Sequence, residues 1–318
     1  MKAKVSEMKT KLMMTFVAVV FCLVAAPLAL EQLDNLRQVA EDWTRSSFLN
    51  GMVTVNASEK EACESTAVAL QAPAVIQSPN SADEFRWSGR VANGGTVEVR
   101  GINGNISALP GDGGEVEVTA TKSARRSDPK SVEIRVVEHA GGVVICALYP
   151  NADGRTPTCS PDGDGHSNIR NNDVVVEFKV RVPRGVNFSG RTVNGNIETG
   201  ALGSDVDART VNGSISISAA GVASAKTVNG SISARLGRAD WSGELDFKTV
   251  NGGITLDLPS DTNTEVTAET LNGDISTDFP MTILGRISRK HLNGTIGNGG
   301  RELSLKSVNG SIQLRRAS

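Results

Sequence analysis

Lys226-Thr227-Val228-Asn229-Gly230-Ser231-Ile232 is one copy of a unit that recurs along this chain: an apolar residue, Asn-Gly, one small or polar residue, then Ile. Eight copies are centred on Asn103-Gly104, Asn194-Gly195, Asn212-Gly213, Asn229-Gly230, Asn251-Gly252, Asn272-Gly273, Asn293-Gly294 and Asn309-Gly310. The last seven asparagines are 16 to 22 residues apart, so one supersecondary unit is repeated in tandem. Such a unit cannot bury its own apolar face and is expected to stack on its neighbours as a solenoid.

Two, four and six residues before Asn lie Thr210, Ala208 and Val206, then Thr227, Ala225 and Ala223, then Thr249, Phe247 and Leu245, then Thr270, Ala268 and Val266, and finally Ser307, Leu305 and Leu303. Period two is the signature of a strand with one buried face. The apolar residue immediately before Asn breaks that period and is expected to turn inward at a bend. Ile three residues after Asn then opens the next short strand. Gly tolerates positive φ and Asn visits the left-handed region more readily than most residues, which suits the pair to a corner. Corner asparagines stacked about 4.8 Å apart are placed to hydrogen-bond along the stack, and seven such coils extend about 34 Å. The same dipeptide marks hairpin turns. Eight hairpins would need matching strands on both sides, whereas the recurring core is asymmetric and appears once per repeat.

The chain has 318 residues, a formal charge of −2, three His and one Tyr. Near-neutrality gives no reason to expect nucleic-acid binding, and so few His and Tyr are thin material for an active site. Lys2, Lys4, Lys9 and Lys11 precede an apolar run from Leu12 to Leu30, the pattern of an export signal. The run is also long enough to remain as a membrane anchor, so cleaved and anchored forms both stand, with the periplasm or cell surface as destination. In an oxidising compartment Cys146 and Cys159 are expected to pair, closing a loop of about 14 residues. Cys63 is left over.

Residues 31–84 read as a short amphipathic helix around Leu33, Leu36, Val39, Ala40 and Trp43, followed by a linker. The folded part is expected at 85–318. It divides into an irregular first part, 85–186, with longer and partly antiparallel strands, and the regular Asn-Gly repeats of 187–318. In the first part Val116–Val118, Val132–Val137, Val143–Cys146 and Val174–Val182 are β-rich, and Ala140-Gly141-Gly142 joins the middle two as a hairpin.

The Thr-Val-Asn-Gly-Ser-Ile units, the export segment, the Asp173–Pro183 strand region with Gly185-Val186 after it, Asp-Phe-Pro at 278–280 and Gly-Gly-Arg-Glu-Leu at 299–303 together resemble the bacterial putative adhesin family. The resemblance spans roughly Phe85 to Ser318. It implies an all-β, right-handed single-stranded β-helix or solenoid at the cell envelope, without catalysis.

Three residues before the asparagines stand Arg100, Arg191, Arg209, Lys226, Lys248, Glu269, Lys290 and Lys306. This nearly uniform basic column alternates with the buried positions and is expected to face solvent. It suits an anionic glycan, or it is simply a solvated face that discourages lateral aggregation. Asp162, Asp164, His166 and Asp173 are spaced like a calcium loop, but Ser167 stands where that loop needs Gly, so no metal is expected. Polysaccharide-cleaving β-helices need carboxylates close together. Asp207 and Asp246 share a column two coils apart, about 9.6 Å, and no His accompanies them. No phosphate-loop, nucleophile-elbow or zinc pattern occurs, so neither enzyme nor cofactor is expected. The reading is an exported binding or adhesion module for a glycan or an envelope protein. The alternative is envelope-stress sensing or scaffolding through a membrane partner.

Overall fold

The computed structural model describes residues 84–151, 157–161, 172–239, 241, 243–283 and 288–317. All belong to the compact unit Ala69–Ser318. The export segment, the helix and linker of 31–83, Cys63, Asp162, Asp164 and His166 lie outside the described residues.

The first part of the chain forms β1 (Glu84–Gly89), β2 (Thr96–Arg100), β3 (Ile106–Pro110), β4 (Val116–Ser123), β5 (Glu133–His139), β6 (Gly142–Leu148) and β7 (Val175–Val182). The repeats then form β8 (Asn187–Arg191), β9 (Ile197–Leu202), β10 (Val206–Arg209), β11 (Ile215–Ala219), β12 (Ala223–Asn229), β13 (Ile232–Leu236), β14 (Leu245–Asn251) and β15 (Ile254–Leu258). The last are β16 (Thr264–Asn272), β17 (Ile275–Thr277), β18 (Met281–Ile283), β19 (His291–Ile296), β20 (Glu302–Asn309) and β21 (Ile312–Arg316).

These strands make two extended sheets. Strands that lead into the Asn-Gly corners form the middle of an eleven-stranded entry sheet, ordered β18-β19-β16-β20-β14-β12-β10-β8-β2-β6-β5. Strands that leave the corners, joined by β1, β4 and β7, build a ten-stranded exit sheet, ordered β1-β4-β7-β3-β9-β11-β13-β15-β21-β17. The inward residues of both join in one apolar core, with Phe178, Phe188, Phe247, Ile215 and Ile254 among its fully buried members.

Each coil follows from its alternation. In β12, Ala223, Ala225 and Thr227 are buried while Ser224, Lys226 and Val228 are not. The buried hydroxyls have a defined acceptor: Thr227 Oγ1 donates to the Gly213 carbonyl at 2.8 Å, Thr249 to Gly230 at 2.8 Å, Thr210 to Gly195 at 2.9 Å and Ser307 to Gly252 at 2.9 Å. Each bond ties a coil to the corner of the coil beneath it. Thr227→Val keeps the shape and removes one such donor, so it is expected to cost about 1 kcal/mol. Thermal unfolding of the single variant measures this, and a midpoint equal to wild type would assign no net stability to these bonds.

The structure corrects four sequence expectations. First, the apolar residue before Asn does not turn inward. β12 and β14 run straight through Val228 and Val250 to the asparagine, and both valines stay on the outer, half-buried side. Period two continues to the corner because the hydroxyl two residues before Asn already fills the inward position.

Second, five of the seven stacked corner glycines do not adopt positive φ; only Gly104 and Gly310 do. Glycine is needed there because a Cβ on Gly195, Gly213, Gly230 or Gly252 would lie 1.9 to 2.0 Å from the carbonyl oxygen of the adjacent coil's glycine.

Third, stacking order departs from chain order. Parallel register places β20 between β14 and β16, and β21 between β15 and β17. The inserted coil buries Leu303, Leu305, Ile312 and Leu314 completely, whereas Ile275 of the displaced coil is only half-buried. The more apolar coil takes the interior and the weaker one the end.

Fourth, Asn293-Gly294 is no corner. It lies inside β19, antiparallel to both β16 and β18. Two and four residues before Asn293 stand His291 and Arg289, where true corners carry a hydroxyl or glycine and an apolar or small residue. A coil with those residues inward would bury charge, so the segment inverts its parity and buries Leu292, Gly294 and Ile296 instead.

Antiparallel strands close most of the exposed ends. β4 pairs antiparallel with β1 and β7, β5 with β6, and β19 with β16 and β18. Such strands interrupt the parallel stacking edge and discourage end-to-end growth.

Candidate functional site

Three outward rows run across the entry sheet. Nearest the corners is an apolar row, Ile102, Val193, Val211, Val228, Val250, Val308 and Leu271, all half-buried. The next is the basic row, in the register Arg100, Arg191, Arg209, Lys226, Lys248, Lys306 and then Glu269. Beyond it Glu98, Ser189, Asp207, Ser224, Asp246, Ser304 and Thr267 stand side by side in the same pairings. Lys290 is not in the basic row. His291 takes the position beside Glu269, because β19 runs antiparallel, and Lys290 is exposed just before that strand.

The third row changes the chemistry of the second. Glu98 receives Arg100 at 2.7 Å and Arg191 at 3.1 Å, and Asp246 receives Lys226 at 3.0 Å and Lys248 at 3.2 Å. Asp207 takes Arg209 at 3.1 Å, and Lys306 reaches Glu269 at 3.7 Å. From Glu98 to Ser304 acids alternate with hydroxyl residues, which keeps like charges two strand spacings apart while Glu98 and Asp246 each reach across to a cation of the neighbouring strand. Burial lowers the pKa of the Arg191 guanidinium from its ordinary value, with Glu98 acting against that shift. The cations are therefore not the bare solvated ladder that the sequence suggests. Sequence reading placed Asp207 and Asp246 in one column but weighed them only as a catalytic pair, and it missed Glu98 and the ion pairing because the acids occur only in alternate coils.

At its first end the face is covered. Cys146, beside Arg100 in register, is bonded to Cys159. Cys159 packs with Val144, Cys146 and Leu148 on the outside of β6. The strap Pro157–Pro161 continues over Arg100, whose guanidinium donates to the Ser160 carbonyl at 2.8 Å and to the Pro161 carbonyl at 3.0 Å. Tyr149, the one tyrosine, ties the base of this insertion. It is fully buried, its hydroxyl donates to the Val174 carbonyl at 2.9 Å, and desolvation pushes its pKa up to about 12.

The corners form a separate exposed line. Side-chain amides donate along it, each at 2.8 Å: Asn194 to Asn103, Asn212 to Asn194, Asn229 to Asn212, Asn251 to Asn229, Asn309 to Asn251 and Asn272 to Asn309. With each interior amide giving and receiving along the line, these groups are occupied in structure.

Other arrangements carry less chemistry. Asp173, which the sequence places in a calcium-like spacing, accepts from the Ser127 amide at 2.8 Å and the Arg126 amide at 3.1 Å, and those bonds lower its pKa. Among the described residues no three His, Cys, Asp or Glu side chains converge to hold a metal ion, and no helix is long and apolar enough to cross a membrane. Asp207 and Asp246 remain separated by Ser224, each held by a cation. An open concavity of about 370 Å³ lies among the turns that carry Asn93, Asp112 and Arg184.

The repeat register and paired sheets agree with a family model that matches residues 92–315. The chain belongs to the Toastrack DUF4097 family. No curated protein matches it. Among solved structures, this Toastrack chain is similar to a putative cell adhesion protein from Clostridium sporogenes, at 10% identity and TM-score 0.41, over 74% of this chain and 100% of that one. It is also similar to a putative adhesin from Bacteroides fragilis, at 10% identity and TM-score 0.30, over 74% and 98%. A putative lipid binding protein from Parabacteroides distasonis follows at 11% identity and TM-score 0.20, over 74% and 98%.

Proposed function

We propose that this Toastrack chain is an exported, non-enzymatic binding module of the cell envelope, presenting the outer face of its entry sheet to a glycan or protein ligand. The observation that carries the reading is the register itself. Equivalent outward positions stand side by side over seven coils, in an apolar row beside a charged row. Such a surface offers many equal contacts to one extended ligand rather than a single converging pocket.

In this reading residues 1–30 direct export, as a cleaved signal or as an anchor through 12–30, and 31–84 form the helix and linker. Residues 85–318 are the binding domain, a right-handed single-stranded β-helix whose first part, 85–186, is elaborated. The Cys146–Cys159 bond suits an oxidising compartment.

The test is binding of the purified chain to a glycan array and to solubilised envelope proteins, at about 20 mM salt and at the physiological value of about 150 mM. Saturable binding to either class supports the module. If neither class bound at either salt concentration, the proposed function would be wrong.

A further inference from the structure

Within its own fold the molecule already lays one polypeptide on this face. The disulfide sets Cys159 over Cys146, one strand before the basic row, and the chain advances to Ser160 and Pro161 at Arg100, the row's first cation. There the cation holds main-chain carbonyls, and the apolar contact is made by Cys159 against Val144 and Leu148. The strap thus runs in the stacking direction and uses a cation together with a neighbouring apolar surface.

Beyond Arg100 the same elements continue. Arg191, Arg209, Lys226, Lys248 and Lys306 keep side-chain exposures between 18% and 29%. Their charge is incompletely neutralised, since Asp246 serves both Lys226 and Lys248. That shared carboxylate leaves one positive charge on its pair, so the face keeps positive charge despite the chain's overall charge of −2. Alongside runs the aliphatic row Val193, Val211, Val228, Val250 and Val308. Aliphatic side chains suit the side chains of a peptide. Carbohydrate faces are commonly met by aromatic rings, and neither outward row holds one.

We propose that the entry-sheet face from Arg191 to Lys306 docks an extended, acid-rich polypeptide segment of a partner protein, laid along the stack as Pro157–Pro161 is laid at its head. Carboxylates of the segment meet the cations and its aliphatic residues cover the valine row. An extended chain advances about 3.3 Å per residue against about 4.8 Å per coil, so it meets a new coil about every one and a half residues. Charge supplies steering and register, and the valine row supplies desolvated contact. This rests on the binding-module reading and names its partner class.

The probe is a fluorescein-labelled (Glu-Val)6 peptide titrated into the intact, oxidised chain and followed by anisotropy, with (Lys-Val)6 and a polyuronate oligosaccharide as comparisons. The expected result is salt-sensitive binding of (Glu-Val)6 alone. Two triple variants follow, Arg209→Gln/Lys226→Gln/Lys248→Gln and Val211→Thr/Val228→Thr/Val250→Thr, each checked for wild-type circular dichroism. Each is expected to weaken binding about tenfold or more. The valine variant keeps every charge, so the proposal stays open to refutation if the charge variant unfolds. Absence of (Glu-Val)6 binding, equal binding by the folded valine variant, or binding of the polyuronate in its place overturns the proposal. Where the chain still captures a glycan or an envelope protein in the earlier assay, the module stands and only the peptide partner falls.

Discussion

Gly230→Val is expected to lower stability by more than about 4 kcal/mol, the range reached only when a specific mechanism is broken. The added Cβ would sit 2.0 Å from the Gly213 carbonyl oxygen and 2.5 Å from its carbon. Neither chain can yield cheaply. The same carbonyl accepts the Thr227 hydroxyl at 2.8 Å, Gly213 N–H donates to the Asn229 carbonyl at 3.0 Å, and Asn229 donates to Asn212 at 2.8 Å. Moving the coils apart breaks all three together. Gly203 is the control, because a Cβ there meets nothing within 4 Å and its φ needs no glycine. Gly203→Ala should stay within about 0.5 kcal/mol of wild type. In a domain of this size the valine variant should melt at least about 8 °C lower. A midpoint within about 2 °C of wild type would refute the close-approach account of the corner.

Removing the disulfide by Cys146→Ser/Cys159→Ser is the second large effect, about 3 kcal/mol for a loop of this size. The cross-link spans a sequence separation of 13 and holds the strap whose carbonyls engage Arg100. Loss of the bond should release the strap as well as lower the melting midpoint. Because coils interact mainly with their neighbours, hydrogen exchange should rise around β5 and β6 and change little at β14 and β15. Equal midpoints for the oxidised wild type and the serine variant would show that the bond adds no stability. Uniform loss of protection along the stack would contradict the one-dimensional picture.

The candidate face was half legible before the structure. The basic residues announce themselves because they recur three positions before Asn, a spacing visible in any alignment of the repeats. Their partners do not. Glu98, Asp207 and Asp246 occupy alternate coils, and their column carries no evident pairing until the register shows that Glu98 and Asp246 each reach two cations and Asp207 reaches Arg209. Asn293-Gly294 misled in the opposite way. Its five-residue signature is complete, and only His291 and Arg289, outside that signature, reveal that the segment cannot stack. Tyr149 carries no pattern at all, since its role depends on the Val174 carbonyl brought back to it across the insertion.

Sequence alone determined the all-β class, the Asn-Gly unit, the alternating positions two, four and six before Asn that enter the core and which cysteines are placed to pair. These properties are local: side chains alternate across a strand whatever lies beside it, and a corner needs a small residue wherever it is built. Tertiary structure decided that the last coil sits between two earlier ones, that Asn293 lies in an antiparallel strand, that the valine row faces outward, and that acids and cations share their charges. Those outcomes depend on which strand becomes whose neighbour. That choice is settled by competition among coils distant in sequence to bury apolar residues and leave charge at the surface.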